Sequence, residues 1–253
     1  METVIDVKGL CKTYIVNKYS NNVLRNIDFS LLGGEFVTIM GPSGSGKSTM
    51  LYTVSGMDRA TSGDVTFMGK SYGELSDKEM AKVRLVSMGF IFQQMYMMSK
   101  LCILDNILLP GYHAGIENRA KVKEDAEMLM RRLDIIEVAD HAITEVSGGQ
   151  LQRACLCRAL INHPKVLFAD EPTGALNSKS ASEVMRELIN VNKDGTAIMM
   201  VTHSARVAAA SDRVIYLIDG HIEGEIELGK LKDEADLTQR EHKLNKWLME
   251  QGW

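Results

Sequence analysis

Near-continuous apolar blocks of four to six residues recur along the second half of the chain, and one stands near its start. Residues 35–40, 166–169, 197–201 and 214–218 are the clearest. Blocks of this length read as strands buried on both faces, and the helical stretches between them point to a parallel sheet covered by helices. Residues 3–7 and 23–32 also read as strands, the second closed by Gly33-Gly34. A helix over about 47–56 ends at Gly56, and after the Thr61-Ser62-Gly63 turn residues 64–67 return as a strand. Ser76 and Glu79 form a capping box that opens a helix through about Val86, and residues 89–92 are again extended.

From about residue 94 to 162 the period becomes helical, with Val122, Ala126, Leu129 and Leu133 on one face. A further helix over 180–192 is expected to open with a capping box from Ser180 to Glu183 and to stop before Gly195. Residues 230–236 are charged and linker-like, and Thr238 and Glu241 are expected to cap a last helix. Leu244, Trp247 and Leu248 form its apolar face, expected to pack on the chain's own domain rather than on a partner, and Gly252 ends it. The pattern is an α/β core interrupted by a mostly helical insertion, with no internal repeat.

Composition narrows the class. At 253 residues the chain is one large domain or two small ones, and 45% hydrophobic with 25% charged residues is ordinary for a globular protein. The formal net charge is −4 and there is no basic run, which argues against nucleic acid as a partner. No stretch approaches the roughly 20 apolar residues of a membrane span, and the first residues do not read as a signal peptide. Cys11, Cys102, Cys155 and Cys157 fit no disulfide framework. Cys155 and Cys157, two apart on a helix, are expected to be small buried hydrophobes in a cytoplasmic protein.

The chemistry concentrates at two strand ends. Gly41-Pro42-Ser43-Gly44-Ser45-Gly46-Lys47-Ser48-Thr49 follows the first apolar block. Its glycines let successive N–H groups face phosphate oxygens, and Lys47 can reach the β/γ-phosphates of a nucleotide triphosphate. The Ser48 hydroxyl can ligate Mg²⁺, and the helix that starts here adds its positive end. The block at 166–169 ends in Asp170-Glu171, and the carboxyl ends of parallel strands line the ligand crevice. Asp170 suits Mg²⁺, directly or through a neighbouring group, and Glu171 is placed to polarise a water for attack on the γ-phosphate. Ser147-Gly148-Gly149-Gln150 opens a second helix as another anion-receptive terminus, although one nucleotide occupies only one phosphate loop.

The order of these motifs, with Gln93 and His203, resembles that of the ATP-binding-cassette (ABC) ATPases over about residues 3–227. The resemblance implies a P-loop NTPase core with an N-terminal antiparallel β subdomain and a helical insertion at about 94–162. The ATP-binding domain would cover 1–228 and a tail with a short helix 229–253. It implies ATP and Mg²⁺ as ligands and a homodimer that sandwiches two ATP, in which Ser147–Gln150 of one subunit complete the site of the other. Residues 41–49 match the Walker A loop, Tyr14 the aromatic that stacks on adenine, and Gln93 the glutamine that senses Mg²⁺ and water, with Gln94 the adjacent alternative. His203 matches the switch histidine at the γ-phosphate.

Two positions depart from the family pattern: Val146 stands where leucine is usual, and Asn177 where the D-loop has aspartate. Residues 89–94, 105–110, 112–115 and 170–176 resemble the branch that serves MacB/FtsX-type permeases, which includes LolD-like, FtsE-like and antimicrobial-peptide-resistance ATPases. This implies a subunit held at the cytoplasmic face of the membrane by an integral permease docked around Gln93 to Leu101, where Met95, Met97 and Met98 cluster. The alternative within the branch is a non-transporting ATPase that transmits force or signal.

Overall fold

The computed structural model describes residues 2–115 and 119–253. Strands β1 (Thr3–Val16) and β2 (Tyr19–Leu32) form one long hairpin, extending well beyond the apolar runs that announce them. Asn17 and Lys18 at its tip have φ of 51° and 68°, and positive φ at both turn residues matches the right-handed twist of the flanking strands. After β3 (Phe36–Met40) and α1 (Lys47–Val54), strand β4 (Ser62–Phe67) pairs with β1, and the two-residue β5 (Lys70–Ser71) with β4. These make an antiparallel sheet in the order β2-β1-β4-β5.

The Ser76–Glu79 capping box is present and opens α2 (Asp77–Ser87), which leads to β6 (Met88–Ile91). The helical insertion holds α3 (Ile103–His113), α4 (Arg119–Arg132) and α5 (Gly148–Leu160). Strand β7 (Val166–Asp170), α6 (Ser178–Lys193), β8 (Ala197–Val201), α7 (Ala205–Ala208), β9 (Arg213–Ile218), β10 (His221–Glu227) and α8 (Glu234–Glu250) follow. The second sheet runs β10-β9-β3-β8-β7-β6, parallel except for β10. Every residue of β3, β7 and β8 is buried, as unbroken apolar blocks demand.

Two cores flank this sheet. On one face Val37, Ile39 and Phe168 meet Ile5, Leu10 and Leu31 of the antiparallel sheet, with Met50 and Leu51 of α1 between. On the other, Leu167, Ile198 and Met200 pack against the insertion through Ile107, Val122, Ala126 and Leu156, and against Leu188 of α6. Cys155 and Cys157 are buried and unpaired, and burial pushes the Cys155 thiol up to about 11.

Two expected helix starts are displaced. Helix α6 is capped by Asn177, whose Oδ1 accepts the N–H of Ser180 at 3.0 Å, while Glu183 pairs with Arg153 of α5. An earlier capping oxygen closes the first turn before Ser180 can do so. Helix α8 likewise begins at Glu234, capped by Asp233, so Thr238 and Glu241 lie inside it. Nor is Lys230 a loose linker residue, since its ammonium sits 2.6 Å from both Asp212 Oδ2 and the Gly34 carbonyl. Leu244, Trp247 and Leu248 pack on Met40, Val214 and Tyr216 of the chain's own sheet, as the apolar face predicts. Buried Arg240 donates to the Gly229 carbonyl at 2.8 Å and to that of Ser211.

Candidate active site

Strand β3 delivers the phosphate loop at its carboxyl end. Gly41 is required there: at φ 153°, a Cβ would lie 2.0 Å from the Leu217 carbonyl of β9. Lys47 Nζ folds back onto the carbonyls of Gly41 (2.8 Å) and Pro42 (2.7 Å). Desolvation lowers its pKa, opposed by the charges of Glu171 and Asp170. Ser45 Oγ is buried without a hydrogen-bond partner among the described residues. A buried hydroxyl in that condition is costly unless something fills its place.

Strand β7, two positions across the sheet from β3 with β8 between, brings Asp170 to the same edge. The Ser48 hydroxyl donates to Asp170 Oδ1 at 3.0 Å, and the Tyr52 hydroxyl to Oδ2 at 2.6 Å. Burial first, then the bond to Asp170, raises the Tyr52 pKa well above its ordinary value. Glu171 leaves the strand with φ 47°, a left-handed conformation that a non-glycine residue seldom takes, and its N–H donates to the Val201 carbonyl. Its carboxylate lies 2.9 Å from His203 Nδ1 through Oε1 and accepts the Thr202 hydroxyl at 3.3 Å through Oε2. Strand β8 ends one residue before Thr202, so three adjacent strand ends supply one contiguous group.

The other expected residues lie outside this contiguous group. The Tyr14 hydroxyl donates to Asp58 Oδ2 at 2.6 Å, and the Lys12 ammonium stands 4.7 Å from its ring centre. Burial and then Asp58 raise the Tyr14 pKa. Gln93 and Gln94 are exposed just past β6. Ser147 caps α5 in a box with Gln150, 2.9 Å from Ser147 N to Gln150 Oε1, so these residues bond to each other rather than to the phosphate loop. At Gly149 a Cβ would come within 2.5 Å of Ser180 Oγ, so the second glycine of that motif lets α6 approach. Sequence reading missed Tyr52, Thr202, Asp58 and Lys12. Only Tyr52 carried a signal, four residues after Ser48 and so on the same helical face.

A loop on one strand, a carboxylate pair on the next-but-one, and a histidine after the strand between them is the arrangement of an ATP-binding cassette. The family model described as "ABC transporter" matches residues 24–174. The chain belongs to the ABC transporter family. This cassette is 39% identical over 219 residues to the uncharacterized ABC transporter ATP-binding protein YknY of Bacillus subtilis, covering 87% of this chain and 95% of that one. It is 40% identical over 222 residues to the macrolide export ATP-binding/permease protein MacB of Escherichia coli, covering 88% of this chain but only 34% of MacB. Among solved structures, the dimeric cassette MJ0796 of Methanocaldococcus jannaschii, bound to ADP and Pi, superposes with a TM-score of 0.84. That match has 36% identity and covers 90% of this chain and all of the other. The cassette is an ABC ATPase with the P-loop core, antiparallel subdomain and helical insertion that its sequence implied. Among the described residues no helix is long and apolar enough to cross a membrane.

Proposed function

We propose that this cassette is the ATP-hydrolysing subunit that drives a MacB/FtsX-type permease of the export, lipoprotein, peptide or drug-resistance kind, working as a homodimer around two ATP at the cytoplasmic face of the membrane. The observation that carries the ATP-hydrolysing part of this reading is the 3.0 Å bond from Ser48 to Asp170, which ties the phosphate loop to the carboxylate that ends β7. Hydroxyl and carboxylate oxygens are the donors Mg²⁺ prefers, so Ser48 and Asp170 fit that ion, with Gln93 at the rim. When bound, Mg²⁺ neutralises charge developing on the β- and γ-phosphates.

Lys47 leaves the two loop carbonyls to bind the same phosphates. Glu171 orients the attacking water and takes its proton. His203, already bonded to Glu171 and with 71% of its side chain exposed, is free to turn toward the γ-phosphate. Tyr14 receives adenine, and residues Ser147, Gly148, Gly149 and Gln150 of the second subunit close over the nucleotide. The dimeric relative with ADP and Pi supports this closure. The names of the MacB relatives support a permease partner, docked around Gln93 to Leu101. There Tyr96 and Met98 are exposed, while Met97 packs into the insertion's core.

The test is Glu171→Gln, purified with ATP from the native membranes. We expect turnover to fall about 10²–10⁴-fold, as for loss of a general base. The variant should run as an ATP-loaded dimer and bring down a permease of the MacB/FtsX type. Hydrolysis at the wild-type rate would refute the role of Glu171, and a six-helix importer permease would refute the partner.

A further inference from the structure

We infer that Tyr52 is a positioning residue of the ATPase centre, whose hydroxyl fixes the metal-facing carboxylate while its ring ties that carboxylate to the loop bearing Gln93. The inference rests on the function proposed above. Ser48 and Tyr52 lie one turn apart on α1, so both hydroxyls face β7. They divide one carboxylate between them, Ser48 on Oδ1 at 3.0 Å and Tyr52 on Oδ2 at 2.6 Å. Asp170 is only 5% exposed, so water has little access to replace either donor. With both oxygens held, the carboxylate has one orientation. With Oδ2 released, it can rotate and carry the Ser48 contact with it.

The ring has a separate part. Its centre is 6.3 Å from that of Phe92, tilted by 50°, and Phe92 meets Tyr96 edge-on at 5.4 Å. Phe92 in turn stacks on Phe90 at 6.0 Å, and Phe90 on Phe168 of β7 at 5.6 Å. Gln93 is the next residue after Phe92. One side chain therefore joins the buried carboxylate to the start of the exposed loop, by its hydroxyl at one end and its ring at the other. Groups that hold a metal's own ligands in place set metal affinity, and losing one typically weakens binding or activity by about 10–100-fold.

Tyr52→Phe separates the two parts, because it keeps the ring and deletes only the hydroxyl. Mn²⁺ binding to the intact chain with a non-hydrolysable ATP analogue, followed by electron paramagnetic resonance, reads the metal directly. We expect Tyr52→Phe to bind Mn²⁺ about tenfold more weakly than wild type. The Mg²⁺ concentration for half-maximal ATPase activity should rise in parallel and by a larger factor than kcat at saturating Mg²⁺ falls, and Tm should drop by several degrees because buried Asp170 loses a donor. Equal Mn²⁺ affinities would overturn the inference, whether or not Tm falls, since a packing role moves Tm alone. Should wild type itself fail to bind Mn²⁺ with nucleotide, the ATPase reading of the site falls first and this inference with it.

Discussion

Leu248→Ala asks whether the tail helix is part of the cassette's folded core. Leu248 is 0% exposed on α8 and packs in one cluster with Met40, Ala208, Val214, Tyr216 and Leu244. Met40 is the last residue before the phosphate loop, and Ala208 lies on the short helix that follows His203. The substitution removes three carbons. At about 0.8 kcal/mol for each buried carbon the transfer loss is about 2.4 kcal/mol. A cavity term adds to this, because strands β3 and β9 are pinned by the sheet and cannot collapse into the gap, so the expected cost is about 3–4 kcal/mol. For a chain of this size that lowers Tm by about 6–16 °C. The assay is thermal and urea unfolding without nucleotide, with Met249→Ala as control. Met249 is the next residue on the same helix but 75% exposed, and should cost less than about 0.5 kcal/mol. If both variants unfold together with wild type, α8 does not pack as described and its apolar face serves something else.

Two further outcomes concern Asn177 and Asp58. Asn177→Asp restores the charge usual at that family position while keeping the oxygen that accepts Ser180 N–H; the ATPase rate and its cooperativity, measured against ATP concentration, should change by less than tenfold, and a hundredfold change would mean the position is specially tuned. Asp58 meets a desolvation that raises its pKa, but the bonds from Lys12 and Tyr14 outweigh it and hold the carboxyl below its ordinary value. A depressed carboxyl stabilises the fold above its unfolded pKa and loses that contribution as pH falls through the folded value. Wild type should therefore lose its advantage over Asp58→Asn as pH drops below about 4, and parallel Tm curves from pH 6 to 3 would refute the assignment.

What the sequence disclosed depended on how strongly burial marked each element. Strands β3, β7 and β8 are covered on both faces, so their apolar blocks stand out with nearly correct ends. The first hairpin has the opposite character. Residues at its tip such as Ile15 and Tyr19 are 78% and 81% exposed, so no core pattern marks the outer strand halves, and its turn contains no glycine. Strand β10 is faint in the sequence although Asp219-Gly220 is a turn signal and Ile222 and Ile226 stand among polar residues. Its alternation is weak because Gly224 stands between the two, under Trp247, and a β-bulge between Ile222 and Gly224 sends the isoleucines into different cores. Helix starts slipped wherever two capping oxygens competed, as Asn177 with Ser180 and Asp233 with Thr238, because a local pattern does not say which turn closes first.

The candidate site shows a different division. Residues 41–49 and the pair Asp170-Glu171 were legible because each motif sits at the carboxyl end of an apolar block, and a parallel sheet brings such ends together. Contacts between motifs were not legible as strings. The Glu171–His203 bond spans 32 positions and exists only because β8 lies beside β7. Tyr52 is the intermediate case. Its spacing from Ser48 was visible, but the period of a helix says only that two side chains share a face, not what the face meets. That β7 presents a single buried carboxylate to both hydroxyls follows from the strand order β3-β8-β7, which places α1 and the end of β7 at one edge. A residue four places from a motif becomes part of the site when the sheet supplies it with the motif's own partner. Helical neighbours of a phosphate-loop hydroxyl are therefore where positioning residues should be sought in a chain of this fold.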